Sequence, residues 1–128
     1  MTDDTSIDLG DDIVLVDDDP LIAEFVRRVL RRSDRRLRAF ENPLEALAHL
    51  RVHTPRDLLV DTRMPDMDGP ELLARLDEDG HRGGLRVILS SAGPVPATAW
   101  TVRMPAHVEI LSKDALFDRH TLLARLGE

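Results

Sequence analysis

The sequence predicts an α/β domain in which helices cover both faces of a parallel sheet. Short apolar runs without polar–apolar alternation predict strands that are buried on both faces. Stretches with apolar residues at helical spacing follow these runs, so that strand and helix alternate five times along the 128 residues. Strands and helices that alternate in this way form parallel sheets through crossover connections.

Five segments mark the predicted strands of one domain. In chain order, the predicted strands are residues 12–16, 36–40, 58–60, 85–89 and 108–111. The second segment, which contains two arginines, is the weakest of the five. Residues 12–128 are the predicted domain, which is long enough to bury a substantial core. Residues 1–11 are polar and acidic, and we expect them to form a flexible N-terminal tail.

Capping residues mark the predicted starts of the helices. Asp19 and the proline after it predict the start of the first helix. Asn42 lies three residues before Glu45, which is the capping-box spacing, and predicts the second helix. Pro70 opens a third helix, and Asp118 caps the last one.

The composition argues against several classes of function. A formal net charge of −7 makes the chain a poor candidate for direct binding to nucleic acid. No apolar run approaches the length of a membrane span, and the first residues lack the basic and apolar regions of a signal peptide. The absence of cysteine excludes a disulfide framework and a thiolate metal site. We therefore expect a cytoplasmic protein that contacts neither membrane nor nucleic acid.

Polar side chains follow the ends of four predicted strands. Asp17 and Asp18 follow the first strand, Asp61 the third, Ser91 the fourth and Lys113 the fifth. Because ligands of parallel sheets bind beyond the carboxyl ends of the strands, we expect these side chains to share one crevice. Three carboxylates without a nearby His or Cys predict a hard cation, and Mg²⁺ fits because it binds few carboxylates and keeps several waters. A hydroxyl and an ammonium beside such a cluster suit a phosphoryl group, with a carboxylate as the nucleophile.

The ordered set of motifs resembles the receiver domain of two-component response regulators over residues 12–127. The motifs are Val-Asp-Asp-Asp-Pro after the first strand, Asp-x-Arg-Met-Pro-Asp-Met-Asp-Gly after the third, a Ser-Ala step after the fourth and a lysine after the fifth. The resemblance implies a doubly wound (βα)5 fold of the flavodoxin-like, or receiver, type. Its five parallel strands would have the order 2-1-3-4-5.

The resemblance also implies a role for each residue of the crevice. Asp61 matches the phosphoacceptor, Ser91 the residue that binds the phosphoryl group, and Lys113 the lysine that pairs with the carboxylate and then with the phosphate. Asp18 matches the direct Mg²⁺ ligand, and Asp17 a ligand that acts mostly through water. The implied metal ligands are Asp17, Asp18, Asp61 and the backbone carbonyl of Arg63.

The function implied by the resemblance is that of a phosphoacceptor signalling domain. A histidine kinase or a histidine phosphotransfer protein would supply the phosphoryl group, and Mg²⁺ would be required. The domain would catalyse transfer to its own aspartate only, so we do not expect an enzyme that acts on other molecules. Phosphorylation would bias a two-state surface that a partner reads. The sequence contains no output domain, so the output would come from a separate partner, from a missing domain or from a phosphorylation-dependent homodimer.

Three departures from the family pattern support an alternative function. Asp114 follows the lysine where the family usually has proline, so we expect a trans peptide bond there. Ile110 stands where the family usually has an aromatic residue. The predicted helix within residues 93–105 is short and flanked by prolines, and Ala106 replaces the usual glycine before the fifth strand. Because the family uses this region for output, a degenerate receiver that binds or dimerises without phosphorylation stays open.

Three local features allow more than one interpretation. A magnesium phosphatase with an aspartate nucleophile is an alternative function. Such enzymes usually have a second acid two residues after the nucleophile, and Arg63 at that position argues against this function. Ser90 is an alternative to Ser91 as the site hydroxyl, although the small Ala92 favours Ser91. The arginine-rich segment 27–38 is either a solvated helix face with a short edge strand or a docking patch for an acidic partner.

Overall fold

The computed structural model describes residues 12–78, 85–93 and 108–127. The strands are Asp12–Val16 (β1), Arg36–Phe40 (β2), Asp57–Asp61 (β3), Arg86–Ser91 (β4) and Val108–Ser112 (β5). The helices of the described residues are Pro20–Val29 (α1), Pro43–Val52 (α2), Gly69–Glu78 (α3), Lys113–Leu116 (α4) and Arg119–Arg125 (α5). All four strand pairs are parallel, and the order β2-β1-β3-β4-β5 confirms the predicted fold.

The predicted elements agree with the structure except at a few boundaries. β1 and β2 match their predictions, whereas β3 is one residue longer at each end than residues 58–60. The sequence did not predict the four-residue helix α4, because one turn has no apolar periodicity. The predicted tail at residues 1–11 lies outside the described residues, as does the predicted helix of residues 93–105 from residue 94 onward.

Alternate residues of each central strand enter two separate apolar clusters. Leu59 and Ile88 belong to the cluster on the side of α1 and α5, and Leu58 and Leu89 to the cluster on the side of α2 and α3. This burial on both faces explains why the strands are continuous apolar runs. Within the described ranges, every helix is too short or too polar to span a membrane.

Side-chain caps fix where the first two helices begin. The Asp19 carboxylate accepts the Leu21 N–H at 3.0 Å, and the Asn42 side chain accepts the N–H groups of Leu44 and Glu45 at 2.8 and 3.3 Å. A cap of this kind typically stabilises a helix by about 1 kcal/mol. Because α1 begins only a few residues after β1 ends, the intervening aspartates are held at the carboxyl edge of the sheet.

A buried ionic cluster closes the opposite edge of the sheet. Asp57 is 0% exposed at the start of β3, and its carboxylate pairs with Arg35 and with Arg86, whose Nε lies 2.7 Å from Oδ1. Both arginines also donate to the carbonyl oxygen of Leu126, at 2.7 and 3.0 Å. The cluster therefore fastens the end of α5 to β3 and β4.

Candidate functional site

An acidic crevice lies beyond the carboxyl ends of β1, β3 and β5. It has a volume of about 620 Å³, and Asp17, Asp18, Asp61, Arg63 and Lys113 are among its lining residues. One carboxylate oxygen from each of the three aspartates lies within 4.8 Å of the other two. The structure therefore brings together five of the six residues that the sequence analysis selected for the site.

The two aspartates after β1 differ in exposure and in contacts. Asp17 is buried, its Oδ1 accepts the Asp19 N–H at 2.9 Å, and its Oδ2 pairs with Lys113. The Asp17 N–H also donates to the carbonyl oxygen of Phe40 at 3.0 Å, which extends the β1–β2 pairing by one bond. Asp18 is exposed. Because protein groups already engage both oxygens of Asp17, Asp18 has the more accessible carboxylate.

Asp61 is the second buried carboxylate of the crevice. It is 8% exposed, and Lys113 Nζ lies 3.5 Å from its Oδ1. Burial, and next the charge of Asp17, raises the pKa of Asp61 to about 6. The Lys113 charge and the Arg63 backbone N–H, which donates to the carboxylate, lower this pKa only in part. The ionised site therefore has an excess of negative charge, which a bound cation would offset.

Backbone packing after β3 holds Asp61 in place. The N–H and the Oγ1 of Thr62 both donate to the carbonyl oxygen of Ser90, at 2.8 and 2.6 Å. The Gly69 N–H donates to the Thr62 carbonyl oxygen at 3.0 Å. A Cβ on Gly69 would lie 2.4 Å from the Asp61 carbonyl oxygen and 2.7 Å from Leu89, so only glycine fits here without displacement. In the sequence, Gly69 is only a turn marker, so this contact was not predicted.

Ser91 lies beside the crevice, with its hydroxyl directed to the loop after β4. It is buried at the end of β4, its Oγ donates to the Gly93 carbonyl oxygen, and it accepts the Gly93 N–H at 3.3 Å. Ser91 is not among the described residues that line the crevice, although Ala92 and Gly93 are. Ser90, the alternative, is the register partner of Asp61 and is buried.

The structure describes two of the residues that depart from the family pattern, Asp114 and Ile110. Asp114 lies in the first turn of α4, where a negative charge is favourable, and Ser112 caps this helix by accepting the Ala115 N–H at 3.1 Å. The described residues contain no cis peptide bond, so the bond before Asp114 is trans, as predicted. Ile110 is 37% exposed on β5.

Comparison with known proteins identifies relatives in sequence and in fold. Residues 13–126 match the family described as the response regulator receiver domain. The chain is 35% identical over 81 residues to response regulator Rre1 of Synechocystis sp.. This match covers 62% of this chain and 35% of that protein. The chain spans about half of the length, or less, of the curated relatives it matches.

Solved structures share the fold over most of the chain. One is the signal receiver domain of an HD domain-containing protein from Pseudomonas fluorescens Pf-5, with 24% identity, a TM-score of 0.77 and 91% of each chain covered. Another is a response regulator protein from Burkholderia pseudomallei with a phosphorylated aspartic acid, a calcium ion and citrate. It has 21% identity and a TM-score of 0.72, and covers 91% of this chain and 66% of that chain.

Proposed function

Because this chain belongs to the family of response regulator receiver domains, we propose that it accepts a phosphoryl group on Asp61 in the presence of Mg²⁺. Receiver domains of response regulators interact with histidine kinases or phosphotransfer proteins, and the donor here would be a phosphohistidine of such a protein. The observation that carries the proposal is the convergence of three carboxylates and Lys113 on one crevice around Asp61. The Burkholderia pseudomallei structure, which has this fold, contains a phosphorylated aspartic acid, and this supports the proposal that the fold can hold an aspartyl phosphate.

The acidic cluster fits a magnesium ion. Asp17, Asp18, Asp61 and the Arg63 carbonyl would hold it, because they offer the oxygen ligands that Mg²⁺ prefers. The raised pKa of Asp61 supports this, since burial, and next the charge of Asp17, disfavours the ionised carboxylate, and a bound cation would favour it. When bound, Mg²⁺ would offset charge on the carboxylates and on the phosphoryl oxygens.

The chemistry of transfer uses Asp61 as a nucleophile. An Asp61 oxygen attacks phosphorus, the phosphorus–nitrogen bond to the donor imidazole breaks, and the imidazole leaves with the electron pair. Because the pKa of about 6 lies below 7, the carboxylate is mostly ionised at pH 7, as attack requires. Lys113, whose Nζ lies 3.5 Å from Asp61 Oδ1, would pair with the new phosphoryl oxygens.

Ser91 is the proposed link between phosphorylation and a change of surface. Its hydroxyl would exchange the Gly93 carbonyl for a phosphoryl oxygen, since a hydroxyl can donate only one hydrogen bond at a time. That exchange would release the first residues of the loop after β4. Ile110 has no polar tip and is stiff at its first side-chain torsion, so we assign it no rotation in the switch.

The wider setting is proposed on the same basis. We assign residues 12–128 to the receiver domain and residues 1–11 to a tail, and we place the protein in the cytoplasm. Output would come from a separate partner, from a domain outside this sequence or from a phosphorylation-dependent homodimer. A phosphorylation-independent binding module is the second candidate, favoured by the unusual residues Ile110 and Asp114.

Intact-mass spectrometry after incubation with acetyl phosphate tests the proposal. With Mg²⁺, we expect the wild-type protein to gain one phosphoryl group, and we expect no gain in EDTA or in the Asp61→Asn variant. Lys113→Ala should remain folded and should acquire the group more slowly. A wild-type protein that gains no phosphoryl group with Mg²⁺ would instead support the phosphorylation-independent module.

A further inference from the structure

A second charged surface lies along the edge strand β2 and shares no lining residue with the acidic crevice. Helix α1 begins beside the crevice and runs back along the sheet for ten residues, a length of about 15 Å. Its last turn, with Arg27, therefore lies near the start of β2, where Arg36 pairs in register with Asp12. The arginine-rich segment is thus separated from the phosphoacceptor site, which argues against a direct role of these arginines at the crevice.

A cleft of about 570 Å³ runs along this part of the sheet. Its charged and titratable lining residues, which we call the arginine cleft, are Arg27, Arg36, Arg38, His49 and His53. The three arginines are exposed. Leu37 and Ala39 of β2 also line the cleft, which therefore follows the edge strand itself.

The outer edge of β2 offers backbone hydrogen-bonding groups. β2 is the terminal strand of the sheet, and no described strand pairs with its outer edge. The Phe40 carbonyl accepts the Asp17 N–H and so faces β1. The N–H and C=O groups of successive residues in a strand point to opposite sides. Those of Arg38 therefore also face β1, whereas those of Leu37 and Ala39 point outward, away from the sheet.

Positive charge flanks this edge on both faces of the sheet. Arg38 is in register with Val14, whose side chain belongs to the cluster on the side of α2, so Arg36 and Arg38 lie on that face. Arg27 belongs to α1, which packs on the other face. An extended segment along β2 would direct alternate side chains to these two faces, and each face would meet arginine.

We propose that the arginine cleft docks an extended, acidic segment of a partner protein, which adds to the outer edge of β2. Backbone bonds to Leu37 and Ala39 would give affinity, and carboxylates at alternate positions would select the segment through Arg36 and Arg38. A short acidic segment meets only this local positive surface. A long polyanion such as nucleic acid would also meet the rest of a chain whose net charge is −7.

Fluorescence anisotropy with a labelled peptide of alternating glutamate and valine tests this proposal. We expect the double variant Arg36→Glu/Arg38→Glu to bind the peptide at least about tenfold more weakly than the wild type. Arg119→Glu is the matched control, because it reverses an exposed charge on α5 away from the cleft and should leave the affinity within about twofold. Circular dichroism should give the same helix content for all three proteins.

A modified peptide tests edge pairing without changing the protein. Two modified versions of the peptide, N-methylated at every glutamate or at every valine, keep the charges and each lose one alternate set of backbone donors. We expect one of them to bind the wild type at least about tenfold more weakly than the unmodified peptide, because only one set of N–H groups faces β2. Affinities of both modified versions equal to that of the unmodified peptide would overturn edge pairing. Equal affinity of the double variant and the wild type, or tighter binding of a single-stranded oligonucleotide than of the peptide, would overturn the acidic segment as the occupant.

Discussion

Replacement of Asp61 by asparagine should stabilise the metal-free protein, by an amount that grows as the pH rises. Burial, and next the charge of Asp17, raises the pKa of this carboxyl from 3.8 to about 6 in the folded state. Between these two values the folded protein holds a proton that the unfolded chain has lost, so stability falls as the pH rises. The destabilisation is absent below about pH 4 and complete above about pH 6, and the neutral amide of the Asp61→Asn variant avoids it.

The magnitude follows from the difference between the two pKa values. A rise from 3.8 to about 6 corresponds to roughly 3 kcal/mol at pH 7.5 and to about half of that at pH 5. Asp18→Asn is the matched control, because Asp18 is exposed and its neutralisation should change stability by less than about 1 kcal/mol.

Urea unfolding in EDTA at pH 5 and pH 7.5 measures these differences. Mg²⁺ should then stabilise the wild type more than the Asp61→Asn variant, because a ligand that binds only the folded state adds to its stability. The difference between their free energies of unfolding should therefore become smaller. An Asp61→Asn variant that is no more stable than the wild type at pH 7.5, or a gap that does not grow with pH, would refute the reasoning.

Three further substitutions test other contacts. Asp57→Ala leaves the buried charge of Arg35 without its carboxylate and should cost about 3–5 kcal/mol in urea unfolding, whereas a loss under about 1 kcal/mol would argue against the ionic cluster. Gly69→Ala places a Cβ 2.4 Å from the Asp61 carbonyl oxygen. It should therefore lower the free energy of unfolding by about 1–3 kcal/mol and slow labelling by acetyl phosphate. Unchanged stability would mean that the loop adjusts freely. Asp18→Ala should lose most of the Mg²⁺ affinity measured by titration, and an unchanged titration would exclude it as a ligand.

The sheet was predictable because its strands carry a strong local signal. Strands that are buried on both faces are continuous apolar runs. Asp19 and Asn42 mark the starts of the helices that follow β1 and the edge strand β2. Asp57 was missed because a charged residue beside an apolar run resembles the loop before a strand. Only its pairing with Arg35 and Arg86, which are distant in sequence, accounts for its burial.

The positions of the site residues were predictable, but their contacts were not. The rule that parallel strands end at one edge was enough to group Asp17, Asp61 and Lys113. The engagement of Asp17 by Lys113, the raised pKa of Asp61 and the contact of Ser91 with Gly93 depend on side-chain burial and direction. None of these quantities has a local sequence pattern.

Reductive trapping of the phosphorylated residue tests the central claim most directly. Borohydride converts an aspartyl phosphate into homoserine, which peptide mass spectrometry locates in the sequence. After incubation with acetyl phosphate and Mg²⁺, we expect homoserine at position 61 and at no other aspartate of the loop, which includes Asp66 and Asp68. Homoserine at another position, or an adduct that resists borohydride, would contradict the assignment of Asp61 as the phosphoacceptor.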